Sequence, residues 1–267
     1  DAEWGIQKQV YDVDRFPFNA TIGAAANKSL TKRQGEMIGQ ELRQLGIHLN
    51  FAPVADVISN PLNPVVGFRS YGENPRHVGV NVSASVEGME SQGIMTCMKH
   101  FPGLGDTDRE STFDFPQILN SYEHIAAIDF LPFRSGIRSG TSCIMVGHIR
   151  ASALDSTGTP CSLSEKVIGQ ILKKELGFKG LVISDALNSK AITKRYSSSE
   201  VTLKAWKAGC DILLFPENIQ EAISSIENEV ISGSISLDEL NNRCEKILRA
   251  KYNRIIKKRN YKSFTKG

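Results

Sequence analysis

Residues 94–112 read Ile-Met-Thr-Cys-Met-Lys-His-Phe-Pro-Gly-Leu-Gly-Asp-Thr-Asp-Arg-Glu-Ser-Thr. The first eight form a short, largely apolar run of strand character, and two ionisable residues, Lys99 and His100, stand at its C-terminal end;. Gly103 and Gly105 give the following loop access to unusual dihedrals, so Asp106, Asp108 and Glu110 can be carried over a pocket;. The competing structural reading is an internal ion pair beneath a merely solvated loop.

Working outward, the same pattern recurs. Short apolar runs over 49–56, 143–149, 181–185 and 212–215 lead into polar loops, and helical periodicity follows in 31–45, 75–92, 164–176 and 198–208;. Ser164 and Glu165 suit the start of one helix, and Gly177 suits its end;. Strands alternating with helices imply a parallel sheet in an α/β fold. Polar residues gather at the strand ends: Asp56, Lys99 with His100, His148, Asp185, and Asp1 with Glu3 at the start. That is the requirement of an active site on a TIM (β/α)8-type barrel. A doubly wound sheet is the alternative, but no GxGxxG turn follows a strand; Gly103-Leu104-Gly105 is only a fragment of one;.

The chain has 267 residues, 40% hydrophobic and 23% charged, with a formal net charge of +3. It can bury a sizeable core and falls outside the disordered class. Its apolar runs of four or five residues fall far short of the ~20 needed to span a bilayer, so no transmembrane segment is expected;. The chain opens at Asp1 with no basic and apolar leader, which implies that any signal peptide is already removed or was never there;. Residues 249–267 hold eight Lys or Arg and no acid, leaving 24 basic against 29 acidic side chains in 1–248. We therefore expect one barrel domain over 1–248 and a basic helix end or tail over 249–267. No basic face for nucleic acid is expected on the domain. Five widely spaced cysteines fit small core residues better than disulfides or a zinc site, and leave cytoplasm and periplasm both open;.

Taken singly, the polar residues keep several readings. Asp185 closes an apolar strand and suits a nucleophile, a metal ligand or a helix cap. Arg69, in Gly67-Phe68-Arg69-Ser70-Tyr71-Gly72, could grip hydroxyls or a carboxylate, or sit on the surface. His148 could orient a neighbour, touch a ligand or fill the core. No HExxH, CxxC pair, EF-hand or GxSxG elbow is present, so no metal, cofactor or serine nucleophile is expected;.

In order and spacing, Asp1-Ala2-Glu3-Trp4-Gly5, Asn50-Phe51-Ala52-Pro53-Val54-Ala55-Asp56, Arg69-Ser70-Tyr71-Gly72, Lys99-His100-Phe101-Pro102-Gly103, Ser184-Asp185-Ala186-Leu187 and Ala208-Gly209-Cys210-Asp211 resemble the N-terminal barrel domain of glycoside hydrolase family 3, in its β-N-acetylhexosaminidase branch. The resemblance covers roughly residues 1–255. It implies a retaining glycosidase for N-acetylglucosamine-containing sugars, such as peptidoglycan fragments, with Asp185 as the nucleophile. It also implies that Asp1, Arg69, Lys99 and His100 hold the sugar hydroxyls, with His148 beside them.

The sequence departs from the branch pattern at three places. Leu104 and Thr112 replace two histidines, the second being the branch's general acid/base, and Gln9 stands where an Arg is usual. A hydroxyl has no pKa near neutrality, so Thr112 cannot take that role. Glu110, Asp108 or Asp106 could supply the proton instead; the alternative is a sugar-binding domain that does not cut. The family also places a strand and helix ahead of the segment matching Asp1, so a barrel short of its first βα unit is expected. The oligomeric state is left open.

Overall fold

The structure, a computed structural model, describes residues 1–107 and 114–253. Its strands are β1 (Leu49–Asn50), β2 (Met95–Phe101), β3 (Gln117–Ile118), β4 (Cys143–Val146), β5 (Arg150–Ala151) and β6 (Leu181–Ser184). Its α-helices are α1 (Asn19–Ala24), α2 (Lys28–Gln44), α3 (Pro75–Ser91), α4 (Tyr122–Ala127), α5 (Phe130–Arg138), α6 (Lys190–Thr193), α7 (Ser198–Ala208), α8 (Ile219–Ile231) and α9 (Leu237–Lys251). A π-helix, Lys166–Glu175, lies between β5 and β6.

Local sequence sets the helix limits. The Asn74 side chain accepts the N–H groups of Arg76 and His77, and Pro75 stands in the first turn of α3, where a missing N–H costs nothing;. Ser197 caps α7 through the Glu200 N–H, and Gly209 ends it with φ 106°;. α2 and α3 approach so closely that a Cβ on Gly88 would lie 2.4 Å from the Lys32 carbonyl oxygen, which makes glycine obligatory there;.

The sheet runs β1-β2-β4-β6, every pair parallel and in chain order. Single bridges, Val54 with Lys99 and Ile183 with Ile212, prolong β1 and add the start of the next segment. A doubly wound sheet reverses its order at a switch point; this one does not, which is the progression of a (β/α) barrel. Side-chain alternation supplies its two faces. Cys97, Cys143, Met145, Leu181 and Ile183 form an inner cluster. Their neighbours Met98, Ile144 and Val182 belong to a larger outer cluster with Val82 of α3, Phe133 of α5 and Leu172 of the π-helix. Helices thus cover the outside while the strand ends carry the polar residues.

Three expectations shift. The run 49–56 forms only β1 and one bridge, because Pro53 has no N–H to give the ladder; it accepts from Lys99 N, and Ala55 N resumes by donating to Lys99 O;. The run 212–215 contributes one bridge rather than a full ladder. The helix expected over 164–176 starts where Ser164 Oγ accepts the Val167 N–H, but its turns are π rather than α. α9 continues through position 248 to Lys251, and residues 254–267 lie outside the described residues. Four of the five free cysteines are buried; Cys244 is exposed instead of in the core. No helix among the described residues is long and apolar enough to cross a membrane.

Candidate active site

The C-terminal ends of the strands surround a cavity of about 330 Å³, at the lower end of the small-molecule range;. β2 delivers Lys99 and His100, the segment after β6 delivers Asp185, and the turn Gly67–Arg69 delivers Arg69. The N-terminal segment is stapled beside β1, where Asn50 exchanges hydrogen bonds with both the N–H and C=O of Ala2. That staple brings Asp1 and Glu3 to the cavity.

Glu3 organises the charges. Arg69 grips it with a fork, Nε to Oε2 at 3.0 Å and Nη2 to Oε1 at 2.8 Å. Lys99 Nζ lies 2.8 Å from the same Oε1 and 2.5 Å from Asp1 Oδ1. Burial pushes the Glu3 carboxyl up, but the Arg69 hydrogen bond and the charges of Lys99 and Arg69 prevail and hold it at about 2;. Arg69 has five N–H groups, of which Glu3 takes two and the Val65 carbonyl one;. Lys99 has three, of which the two carboxylates take two. Among the described residues, one Lys99 N–H and two Arg69 N–H groups have no partner and face the cavity side of the network.

His100 is fixed by Asp56. Its Nδ1 lies 2.9 Å from Asp56 Oδ2, and its backbone N–H and that of Leu104 donate to Asp56 Oδ1. This leaves Nε2 for the cavity. The same carboxylate therefore orients the imidazole and ties the following loop to the segment after β1. Asn63 Nδ2 adds bonds to the carbonyls of Leu104 and Thr107, and Gly105 passes so near Val57 O that a Cβ would fall 1.5 Å from it. Leu104 is buried in the outer cluster.

Asp185 Oδ1 accepts the Ala186 N–H at 2.8 Å. Burial raises the Asp185 carboxyl, but His148 and His100 when protonated, the Ala186 N–H and Lys99 together hold it below the usual range;. It is a carboxylate at neutral pH. His148 stands behind it: Nε2 donates to the Ala186 carbonyl at 3.0 Å, and Nδ1 accepts from Ser162 Oγ at 2.6 Å. Burial lowers its pKa, which favours the neutral ring that this pairing requires;. Both His148 ring nitrogens are thus engaged inside the protein, one of them on the Asp185–Ala186 turn.

Asp1, Arg69, Lys99, His100 and Asp185 thus line one cavity. Glu110, Asp108 and Thr112 lie outside the described residues. Asp106 does not line the cavity; its Oδ2 accepts from Asn120 Nδ2 at 2.6 Å. Glu3 and Asp56 were legible only as strand-end polar residues with no assigned role. Glu3 could have been found from its spacing of two from Asp1, which puts both on one side of an extended segment. Leu214 and Phe215 on the rim, and Ser162 behind His148, gave no signal. No group of three or more metal-ligating side chains occurs among the described residues.

Residues 1–250 match the family model described as glycosyl hydrolase family 3 N terminal domain. The chain is 36% identical over 215 residues to the β-hexosaminidase A of Pseudoalteromonas piscicida, covering 75% of this chain and 36% of that protein. It is 32% identical over 222 residues to a β-hexosaminidase of Neisseria meningitidis serogroup C, covering 80% and 61%. Among solved structures, a glycoside hydrolase family 3 β-N-acetylglucosaminidase from Paenibacillus sp. superposes with TM-score 0.91 at 34% identity, over 95% of this chain and 49% of that one. The chain therefore spans between about a third and two thirds of the length of these relatives.

Proposed function

The chain belongs to glycosyl hydrolase family 3 through its N-terminal barrel domain, and from that premise we propose that it is a retaining β-N-acetylglucosaminidase acting on terminal N-acetylglucosamine, including peptidoglycan-type glycosides. The observation that carries this reading is an ionised Asp185 facing a cavity whose other wall is the Asp1–Lys99–Glu3–Arg69 network with three spare N–H donors. Relatives named β-hexosaminidase support the choice of sugar.

In the first step an Asp185 carboxylate oxygen bonds to the anomeric carbon, the bond to the aglycone oxygen breaks, and that oxygen takes a proton from an acid in the sequence after Thr107. In the second, water attacks the same carbon, the bond to Asp185 breaks, and the water's proton returns to the acid. Glu110 is the residue we assign to that acid. Asp106 is less suited, since Asn120 holds it off the cavity. Asp1, Arg69, Lys99 and His100 bind hydroxyls, and charge-assisted bonds of this kind strengthen as charge develops at the ring.

Release of p-nitrophenol from p-nitrophenyl N-acetylglucosaminide tests the proposal. Asp185→Ala loses on the order of 10⁴-fold or more. Glu110→Gln loses ~10²–10⁴-fold on poor leaving groups and far less on activated ones. Wild-type protein as silent as Asp185→Ala on activated aryl glycosides overturns hydrolysis.

A further inference from the structure

Phe215 lies on the cavity rim with 63% of its surface exposed, and its backbone adopts φ +48°, a region that favours glycine;. It also precedes Pro216, and a residue before proline is pushed toward extended conformations;. The turn is imposed by tertiary bonds on the preceding residue: Leu214 N–H donates to Ser184 Oγ at 3.0 Å, and Leu214 C=O accepts from Leu187 N–H at 2.8 Å. These clamps tie residue 214 to the same strand end that carries Asp185. The other well-exposed phenylalanines among the described residues, Phe18 and Phe68, meet each other in a tilted contact at 4.5 Å and Trp4 edge-on. Phe215 has no aromatic partner among the described residues, yet a strained backbone holds its ring at the mouth of the site.

Position around the sheet says which part of a substrate it meets. The hydroxyl-binding groups sit on the N-terminal segment, the Gly67–Arg69 turn and β2; Asp185 follows β6, and the segment of Phe215 lies beyond β6 through the Ile183–Ile212 bridge. With a sugar gripped at Asp1, Lys99 and Arg69 and its anomeric carbon at Asp185, Phe215 is the exposed aromatic ring at the rim within reach of the group beyond it. We propose that Phe215 is the platform for the leaving group, stacking on the apolar face of a second ring and giving the site a preference for ring aglycones. This inference rests on the proposed sugar site and adds the identity of the group beyond it.

The test uses Phe215→Gly, which keeps the backbone conformation accessible and removes the ring, and Phe215→Trp, which keeps an aromatic face. The readout is the ratio of kcat/KM for N,N′-diacetylchitobiose to that for N-acetylglucosaminyl fluoride, whose leaving group has no ring. The ratio falls about three- to tenfold in Phe215→Gly and stays near wild type in Phe215→Trp. An unchanged ratio in Phe215→Gly overturns the platform. Calorimetry separates this from the hydrolase reading: wild type binds diacetylchitobiose more tightly than N-acetylglucosamine, and Phe215→Gly erases the difference. A wild type that hydrolyses nothing but shows that difference sinks the hydrolase and leaves the platform; no difference overturns the platform itself.

Discussion

Glu3 and Glu90 are buried carboxylates at opposite ends of one sheet, with 7% of the Glu3 side chain and 8% of Glu90 exposed. At the C-terminal end, Glu3 is held by two cations, Arg69 and Lys99. At the N-terminal end, the hydrogen bonds to Glu90 Oε1 among the described residues come from neutral donors: the N–H and hydroxyl of Thr96 and the N–H and hydroxyl of Ser142, at 2.7–3.0 Å. The neutral donors are fully consumed by the joint they make between α3, β2 and β4. The cations are not, since among the described residues each keeps an N–H without a partner. One barrel therefore buries charge in two ways, neutral solvation where it must be rigid and paired charge where it must bind.

The largest effect that could break this distinction comes from Glu3→Gln. The amide cannot neutralise Lys99 and Arg69, and the spare N–H groups lose their aim. We expect kcat/KM on aryl N-acetylglucosaminides to fall about 10²–10³-fold, equivalent to ~3–4 kcal/mol, measured well below the variant's Tm. The acid limb carries a second signature. The folded value of about 2 lies below the ordinary carboxylate value near 4.5, so the Glu3 contribution to stability is present above about pH 4.5 and is lost as pH falls toward 2;. Acid unfolding of Glu3→Gln should lack that component. A lower Tm with kcat/KM untouched would make Glu3 a second Glu90.

Asp129 sharpens the comparison because it has neither device. It is 2% exposed, neither carboxyl oxygen has a hydrogen-bond partner among the described residues, and a Cβ on Gly103 would press on it at 2.7 Å. Burial, with the charges of Asp106 and Asp56, raises its pKa to about 8;. The sign is opposite to that of Glu3. Between the unfolded value near 4 and about 8 the folded state keeps a proton that the unfolded state releases, so stability falls with rising pH by up to ~1.4 kcal/mol per unit. Asp129→Asn removes this penalty but leaves an unsatisfied amide costing ~1–3 kcal/mol. Urea unfolding should show a net gain of about 2 kcal/mol near neutrality that shrinks toward pH 4; a gain independent of pH would contradict a buried, titrating Asp129.

Local sequence made β2 with Lys99 and His100, the lone Asp185, and the limits of α3 and α7 legible, because strand runs, caps and glycine stops act over a few residues. The joints of the site act over longer spans. Glu3 meets Arg69 66 residues away, and Asp56 meets His100 44 residues away, so neither partner shows in a local window. The bonds of His148 are equally remote: Ser162 and Ala186, 14 and 38 residues off, occupy both its nitrogens. The π-helix and the φ of Phe215 are tertiary outcomes against local preference.

The smallest expected effect tests the neutral joint itself. Glu90→Gln keeps the shape and an acceptor oxygen, but the four bonds at Oε1 then end on a neutral group. Hydrogen bonds to charged partners contribute ~1.5–3 kcal/mol and neutral ones ~1 kcal/mol. Because the backbone still presents the Thr96 and Ser142 N–H groups to the same place, only part of that difference is lost. Urea unfolding should show a loss of about 1–2 kcal/mol with an unchanged m-value. Activity should stay within about twofold of wild type, since Thr96 and Ser142 lie at the far end of the strands from Lys99 and Asp185;. If kcat/KM fell instead by more than about tenfold at temperatures where the variant is fully folded, the N-terminal end would be part of the site's geometry, and the division of labour between the two glutamates would fail.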